Sequence, residues 1–143
     1  MGEVIEDPVL GRLLYDDAGD WYEGHAEVTP GRPALVFVCP DEDVPDGTAV
    51  AEVARGTLAR LRTADAELRH AAAAELVARH PERVAPRTAE AVAAELWAAV
   101  VYFWADGGAR VDWDAEPPLL GWHSCNWATQ VEPSGRVRES GWA

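Results

Sequence analysis

The sequence predicts an α+β domain: an antiparallel sheet of about seven strands, three N-terminal and four C-terminal, with central helices packed on one face. Three observations predict it. Polarity alternates with a period of two over residues 9–28, followed by an apolar run at 34–38, and strand-like patterning returns from about residue 98 onward, whereas residues 48–97 carry apolar positions at spacings of three and four. Turn chemistry separates the alternating runs. The chain has 143 residues, which fits a single domain; at this size roughly 70% of the unfolded surface can be buried, enough for a core without staples.

The first block reads as three strands. Val9 to Tyr15 alternates loosely, and Asp16-Asp17-Ala18-Gly19-Asp20 supplies the residues of a hairpin turn. In Trp21 to Val28, the side chains of Trp21, Glu23, His25 and Glu27 fall on one face, and Tyr22, Ala26 and Val28 fall on the other. Thr29-Pro30-Gly31-Arg32-Pro33 turns the chain again. Ala34 to Val38 is then a continuous apolar run, suited to a central strand.

The proline-rich acidic loop from Cys39 to Gly47 ends where helical periodicity begins, with Thr48 as the expected N-cap. Val50, Val53, Ala54, Leu58 and Leu61 form one stripe. Thr63 and Asp65 are expected to restart a second helix with the stripe Leu68, Ala72, Leu76 and Val77, which Pro81 ends. His80, near that end, is placed to ease the carbonyl end of the helix dipole. Pro86 and Thr88 open a third, short helix through Leu96.

The period then changes. Val100, Tyr102 and Trp104 alternate with Val101 and Phe103 in a β-branched and aromatic stretch that favours strand. Asp106-Gly107-Gly108 makes a hairpin turn, and Arg110 to Asp114 returns with Val111 and Trp113 on one face. Glu116-Pro117-Pro118 stops it. Trp122 to Val131 and Arg136 to Trp142 complete the meander, joined at Pro133-Ser134-Gly135.

Net charge is −13, and its distribution is uneven: residues 1–47 hold 12 acids against 2 arginines, residues 48–97 hold 7 against 7, and residues 98–143 hold 6 against 3. This balance opposes nucleic-acid binding, which needs basic groups to displace counterions from phosphates. A basic protein partner is expected. General solubility is the competing explanation of the acid excess. The most apolar run, Leu96 to Ala105, is about half the length of a spanning helix, so no membrane association is expected. Cys39 and Cys125 lie in apolar strand-like stretches and no signal leader precedes the first strand, so free thiols in the cytoplasm are expected.

No phosphate loop, nucleophile elbow, paired-carboxylate signature or zinc spacing is present, and no cofactor is expected. Seven tryptophans in a small acidic protein favour binding, because aromatic residues on strand faces anchor interfaces. The candidate interaction face comprises Trp21, Glu23, His25, Glu27, Trp113 and Trp122. His123 and Cys125, on one strand face, are candidates for a cryptic site, either a nucleophile with its base or half of a metal site, and compete with the reading of both as core residues. The leading functional expectation is a non-enzymatic acidic binding protein. The alternative is a small hydrolase or metal-dependent enzyme using His25 or His123.

Asp20-Trp21-Tyr22-Glu23-Gly24 and Gly121-Trp122-His123-Ser124-Cys125, followed by Gly135 and Gly141, resemble a group of small bacterial domains of unknown function. These have an N-terminal hairpin with a Trp/Tyr-Glu-Gly element, a central helical region and a C-terminal strand opening with Gly and His. The resemblance implies an α+β fold and a bacterial, cytoplasmic setting. It tilts the expected function towards an immunity-type inhibitor of a toxin or effector.

Overall fold

The computed structural model describes residues 3–84, 87–115 and 127–142. In chain order the elements are β1 (Val4–Asp7), β2 (Gly11–Asp16), β3 (Trp21–Glu27), β4 (Pro33–Cys39), α1 (Gly47–Arg79), the single turn α2 (Pro81–Val84), α3 (Ala89–Glu95), β5 (Leu96–Trp104), β6 (Ala109–Ala115), β7 (Trp127–Val131) and β8 (Val137–Trp142). The strands form one sheet in sequence order, β1 to β8. Strands therefore occupy both ends of the chain and helices the middle, an α+β architecture.

Two features differ from the expected sheet. It has eight strands, and it is mixed: β4 and β5 run parallel, with Leu35 opposite Val100 and Cys39 opposite Trp104, while every other neighbouring pair is antiparallel. The parallel pair follows from chain geometry. Parallel neighbours need a crossover, usually helical, and α1 to α3 supply it between β4 and β5. The extra strand is β1, hidden in the sequence by its shortness. The Asp7 carboxylate accepts from the backbone N–H groups of Val9 and Leu10, both at 2.8 Å, and Gly11 follows at φ 73°. That turn takes up Val9 and Leu10, where the first strand was expected to begin, so β2 starts at Gly11 and β1 precedes it.

The central helices also differ. Asp46, not Thr48, caps α1, its side chain accepting from Thr48 N–H at 2.9 Å. The helix then runs 33 residues without the expected restart at Thr63 and Asp65. Both polar residues find partners inside it: Thr63 Oγ1 donates to the Ala59 carbonyl (3.1 Å), and Asp65 forms an i,i+4 ion pair with Arg69 (3.0 Å). Gly56 is accommodated at an exposed site with open space around it. Thr88 caps α3 as expected, accepting from Ala91 N–H.

Helix α1 lies on one face of the sheet. Val50, Ala54, Leu58, Leu61, Leu68, Ala72 and Leu76 from α1 meet Leu13, Val36, Val38, Val101, Phe103, Val111 and Trp127 in one hydrophobic core. Polar contacts register the helix on the sheet. Arg55 bonds Asp7 through both Nε and Nη2, the closer contact being 2.6 Å. Arg60 and Thr57 donate to the Gly107 carbonyl, and Arg79 donates to the Ser140 carbonyl at 2.7 Å.

Asp7 generates a testable consequence. Its side chain is 2% exposed; burial alone would push its carboxyl up, but hydrogen bonds from Arg55, Leu10 and Val9 outweigh it and hold the carboxyl below its ordinary value. A folded pKa below the unfolded one contributes stability that is present above about pH 4 and lost as pH falls through the folded value. Asp7→Asn is therefore expected to cost about 1.5–3 kcal/mol at pH 7, the range of charged hydrogen bonds. Urea denaturation should show this difference from wild type shrinking steadily as the buffer is taken below pH 4. A difference independent of pH would show that the ionised carboxylate is not what stabilises this turn.

Candidate interaction face

Every strand of this sheet has one side chain set facing α1 and one facing away. The registers align a lateral row across all eight strands on the side away from α1: Val4, Leu14, Glu23, Phe37, Tyr102, Arg110, Gln130 and Glu139. Burial separates the two sets. In β5, Val101 and Phe103 are fully buried while Val100, Tyr102 and Trp104 are half-buried; in β6, Val111 and Trp113 are buried while Arg110, Asp112 and Asp114 are half-buried.

Aromatic rings run across the centre of this face. Trp21 of β3 lies 4.7 Å from Phe37 of β4, Phe37 stacks on Tyr102 of β5 at 5.1 Å, and Tyr102 stacks on Trp104 at 5.7 Å. Phe37 is covered by these neighbours; Trp21, Tyr102 and Trp104 are half-buried. Trp21 is held rigidly. Its indole donates to Glu23 at 3.2 Å, and its ring lies over Gly19, where even a methyl group would collide with it. Arg110 stacks over Tyr102 (5.1 Å) and is neutralised by Asp112, which accepts from Nε at 2.7 Å and Nη2 at 3.1 Å.

Carboxylates border the aromatic centre. Glu23, His25 and Glu27 alternate outward along β3, and Asp112 and Asp114 do so along β6. By contrast, α1 carries five arginines against four carboxylates. The helical layer is close to neutral, so the acid excess belongs to the strands and their loops. An open cleft of about 610 Å³ at the loop end of β4 adds to it, lined by Glu3, Asp20, Asp41 and Glu42 with Tyr15 and Tyr22. Hydrogen bonding to Asp20 raises the Tyr15 phenol to about 12, and burial followed by hydrogen bonding to Glu3 raises Tyr22 to about 12. Both tyrosines stay neutral.

Of the candidate residues, Trp21, Glu23, His25 and Glu27 lie together on the open face. Trp113 does not. It is 1% exposed on the α1 side, its indole donating to Thr129 Oγ1 at 2.8 Å, with Ser140 Oγ 2.8 Å beyond. It is a core residue, because the Val111–Trp113 side of β6 is the buried one. Trp122, His123 and Cys125 lie outside the described residues. The sequence reading missed Phe37, Tyr102 and Trp104 as face residues: both parities of Val100 to Trp104 are apolar, and the parallel β4–β5 pairing that joins Phe37 to Tyr102 was not foreseen.

For proton transfer or nucleophilic attack, groups must lie within hydrogen-bond reach of one another. His25 is exposed on the open face opposite Leu35, and Glu23 is bonded to the Trp21 indole. His80 closes α1: its backbone N–H donates to the Leu76 carbonyl, and its Nε2 accepts from the Trp142 indole at 2.9 Å. Among the described residues, no group of three or more His, Cys, Asp or Glu could hold a metal ion, and no helix is long and apolar enough to cross a membrane. Comparisons with protein-family models, with curated proteins and with solved structures find no match.

Cys39 stands at the end of β4, half-buried on the open face, and burial pushes its thiol up to about 11. The thiolate is the reacting species, so its population near neutral pH falls about two orders of magnitude below that of a free cysteine. In a Cys125→Ser background, native Cys39 is expected to react with a disulfide reagent at pH 7.5 roughly a hundredfold more slowly than after unfolding in urea. Equal rates in the two states would mean that the thiol is not desolvated.

Proposed function

We propose that this protein is a non-enzymatic acidic binding protein, an inhibitor of the immunity type, that seats a basic protein partner on the face of its sheet away from α1. The observation that carries this reading is the combination on one face of rigid aromatic side chains and a border of carboxylates, beside a helical layer of nearly balanced charge. Aromatic anchors with few rotatable bonds give large buried area at low entropic cost, and they dominate the energetics of many interfaces. Charge at the border accelerates encounter with an oppositely charged surface and suppresses wrong partners. The acid excess then serves recognition in addition to solubility.

The test is kinetic. Surface plasmon resonance against the basic partner that co-purifies, over a salt series, is expected to show association that slows steeply with salt and dissociation that barely changes. Glu23→Gln with Glu27→Gln should slow association severalfold, whereas Trp21→Ala should act on dissociation and cost about 2 kcal/mol. Association independent of salt, or unchanged affinity in both variants, would reduce this face to a solvated surface and move the interface elsewhere.

A further inference from the structure

We infer that the open face is built to receive an amphipathic helix, laid along β4 and β5, whose apolar stripe is flanked on both sides by arginine or lysine. The inference rests on the proposal that a basic protein binds this face, and it specifies the element that this partner presents.

The face has a lane and two borders. Parallel pairing puts Leu35 beside Val100 and Phe37 beside Tyr102, an apolar lane two strands wide. The strand on each side turns carboxylates outward: Glu23 and Glu27 on β3, and on β6 Asp114 together with Asp112, which already pairs with Arg110, so Asp114 carries the net charge of that border. From β3 to β6 is three strand spacings, about 14 Å, which accommodates the 10–12 Å diameter of an α-helix with its side chains. The nine residues of β5 span about 30 Å, the length of a helix of about 20 residues.

The covered face of the same sheet already packs an amphipathic helix, laid there across the strands and not along two of them. Helix α1 lies there with an apolar stripe, and its arginines reach outward to acceptors at the sheet margins: Arg55 to Asp7, Arg62 to the Glu27 carbonyl at 2.6 Å, and Arg79 to the Ser140 carbonyl. A partner helix of similar design would find side-chain carboxylates on both borders of the opposite lane. Its occupation would complete a helix–sheet–helix sandwich. A second copy of this chain is a poor occupant, since it would set two acidic faces against each other. An extended peptide would gain main-chain hydrogen bonds at a sheet edge, not on a face.

The test uses the full chain and two fluorescent peptides of about 18 residues with identical leucine, alanine and arginine content. One places leucines at spacings of three and four with arginines on both flanks; the other alternates leucine and arginine with a period of two. Fluorescence anisotropy is expected to show the first binding at least about tenfold tighter than the second, with a gain of helical circular dichroism on mixing. Glu27→Lys on one border and Asp114→Lys on the other should each weaken it by about tenfold or more, while Glu67→Lys, on the exposed side of α1, should change it less than twofold. Equal loss in all three variants would reduce the attraction to net charge and overturn the lane. Equal binding of the two peptides would overturn the helical occupant but leave the acidic face standing. Failure of both to bind tighter than about 100 μM would also overturn it. Sedimentation showing a dimer of the chain that Val100→Lys dissociates would give the face to a second copy and overturn this inference together with the proposal beneath it.

Discussion

A single long helix against an eight-stranded sheet is the constraint on which the structure depends. Helix α1, at 33 residues, is about 50 Å long, whereas eight strands span about 34 Å from first to last. One helix can therefore cross the whole sheet, and α1 contacts both the β1 margin and the β7–β8 margin. Many of its buried positions are small: Ala51 and Ala54 near one end and Ala72 and Ala73 near the other flank Leu58, Leu61 and Leu68, with Leu76 beyond. Alanine brings the backbone close to the sheet, so the large side chains of the core come from the strands, with Trp113, Trp127 and Phe103 the largest of those fully buried. The Trp127 indole reaches the helix itself and donates to the Ala72 carbonyl at 2.9 Å.

Buried polar groups then set where the helix sits. Asp65, 4% exposed, accepts from Thr29 Oγ1 at 2.8 Å, and that oxygen accepts in turn from the backbone N–H of Ala98 at 3.0 Å. Arg69 completes the network by pairing with Asp65 and donating to the Ala93 carbonyl. An unpartnered buried carboxylate would cost several kcal/mol, so sliding α1 along the sheet, which would strip Asp65 of Thr29, is penalised even where apolar contacts could re-form. The network also joins four parts of the chain: the β3–β4 turn, the middle of α1, α3, and the start of β5 beside its irregularity between Ala98 and Val100. It fixes β5 beside β4, and with that it brings Tyr102 against Phe37.

These same facts decide what could be read from the sequence. The alternation of Trp21, Glu23, His25 and Glu27 against Tyr22 and Ala26 was legible because one face of β3 is polar. The apolar run Ala34 to Val38 signalled a central strand, and β4 is flanked on both sides. Thr88 was legible as a cap because capping is local. Thr63 and Asp65 were misread for the opposite reason: their chemistry favours a helix start in isolation, and only the distant partner Thr29 and the neighbour Arg69 make Asp65 stable within a helix. Trp113 shares its strand face with Val111, opposite Arg110, Asp112 and Asp114, so the alternation already marked it as core-directed, and its placement on the interaction face went against that local pattern. The direction of β5, and hence the aromatic centre of the open face, depends on a crossover whose geometry no local pattern encodes.

The two faces of this sheet are thus chemically unlike. One is closed by a helix from the same chain, and the other holds its aromatic residues in place beside carboxylates with no helix of the described chain on it. In the proposed function, this second face is where a partner is received. Hydroxyl-radical footprinting of the complex tests it directly, because it reads solvent access of individual side chains on both layers at once. The expected result is strong protection of Trp21, Tyr102 and Trp104 with unchanged labelling of His70 on the exposed side of α1. Protection of His70, with Trp21, Tyr102 and Trp104 labelled as in the free protein, would contradict the account and place the partner on the helical layer.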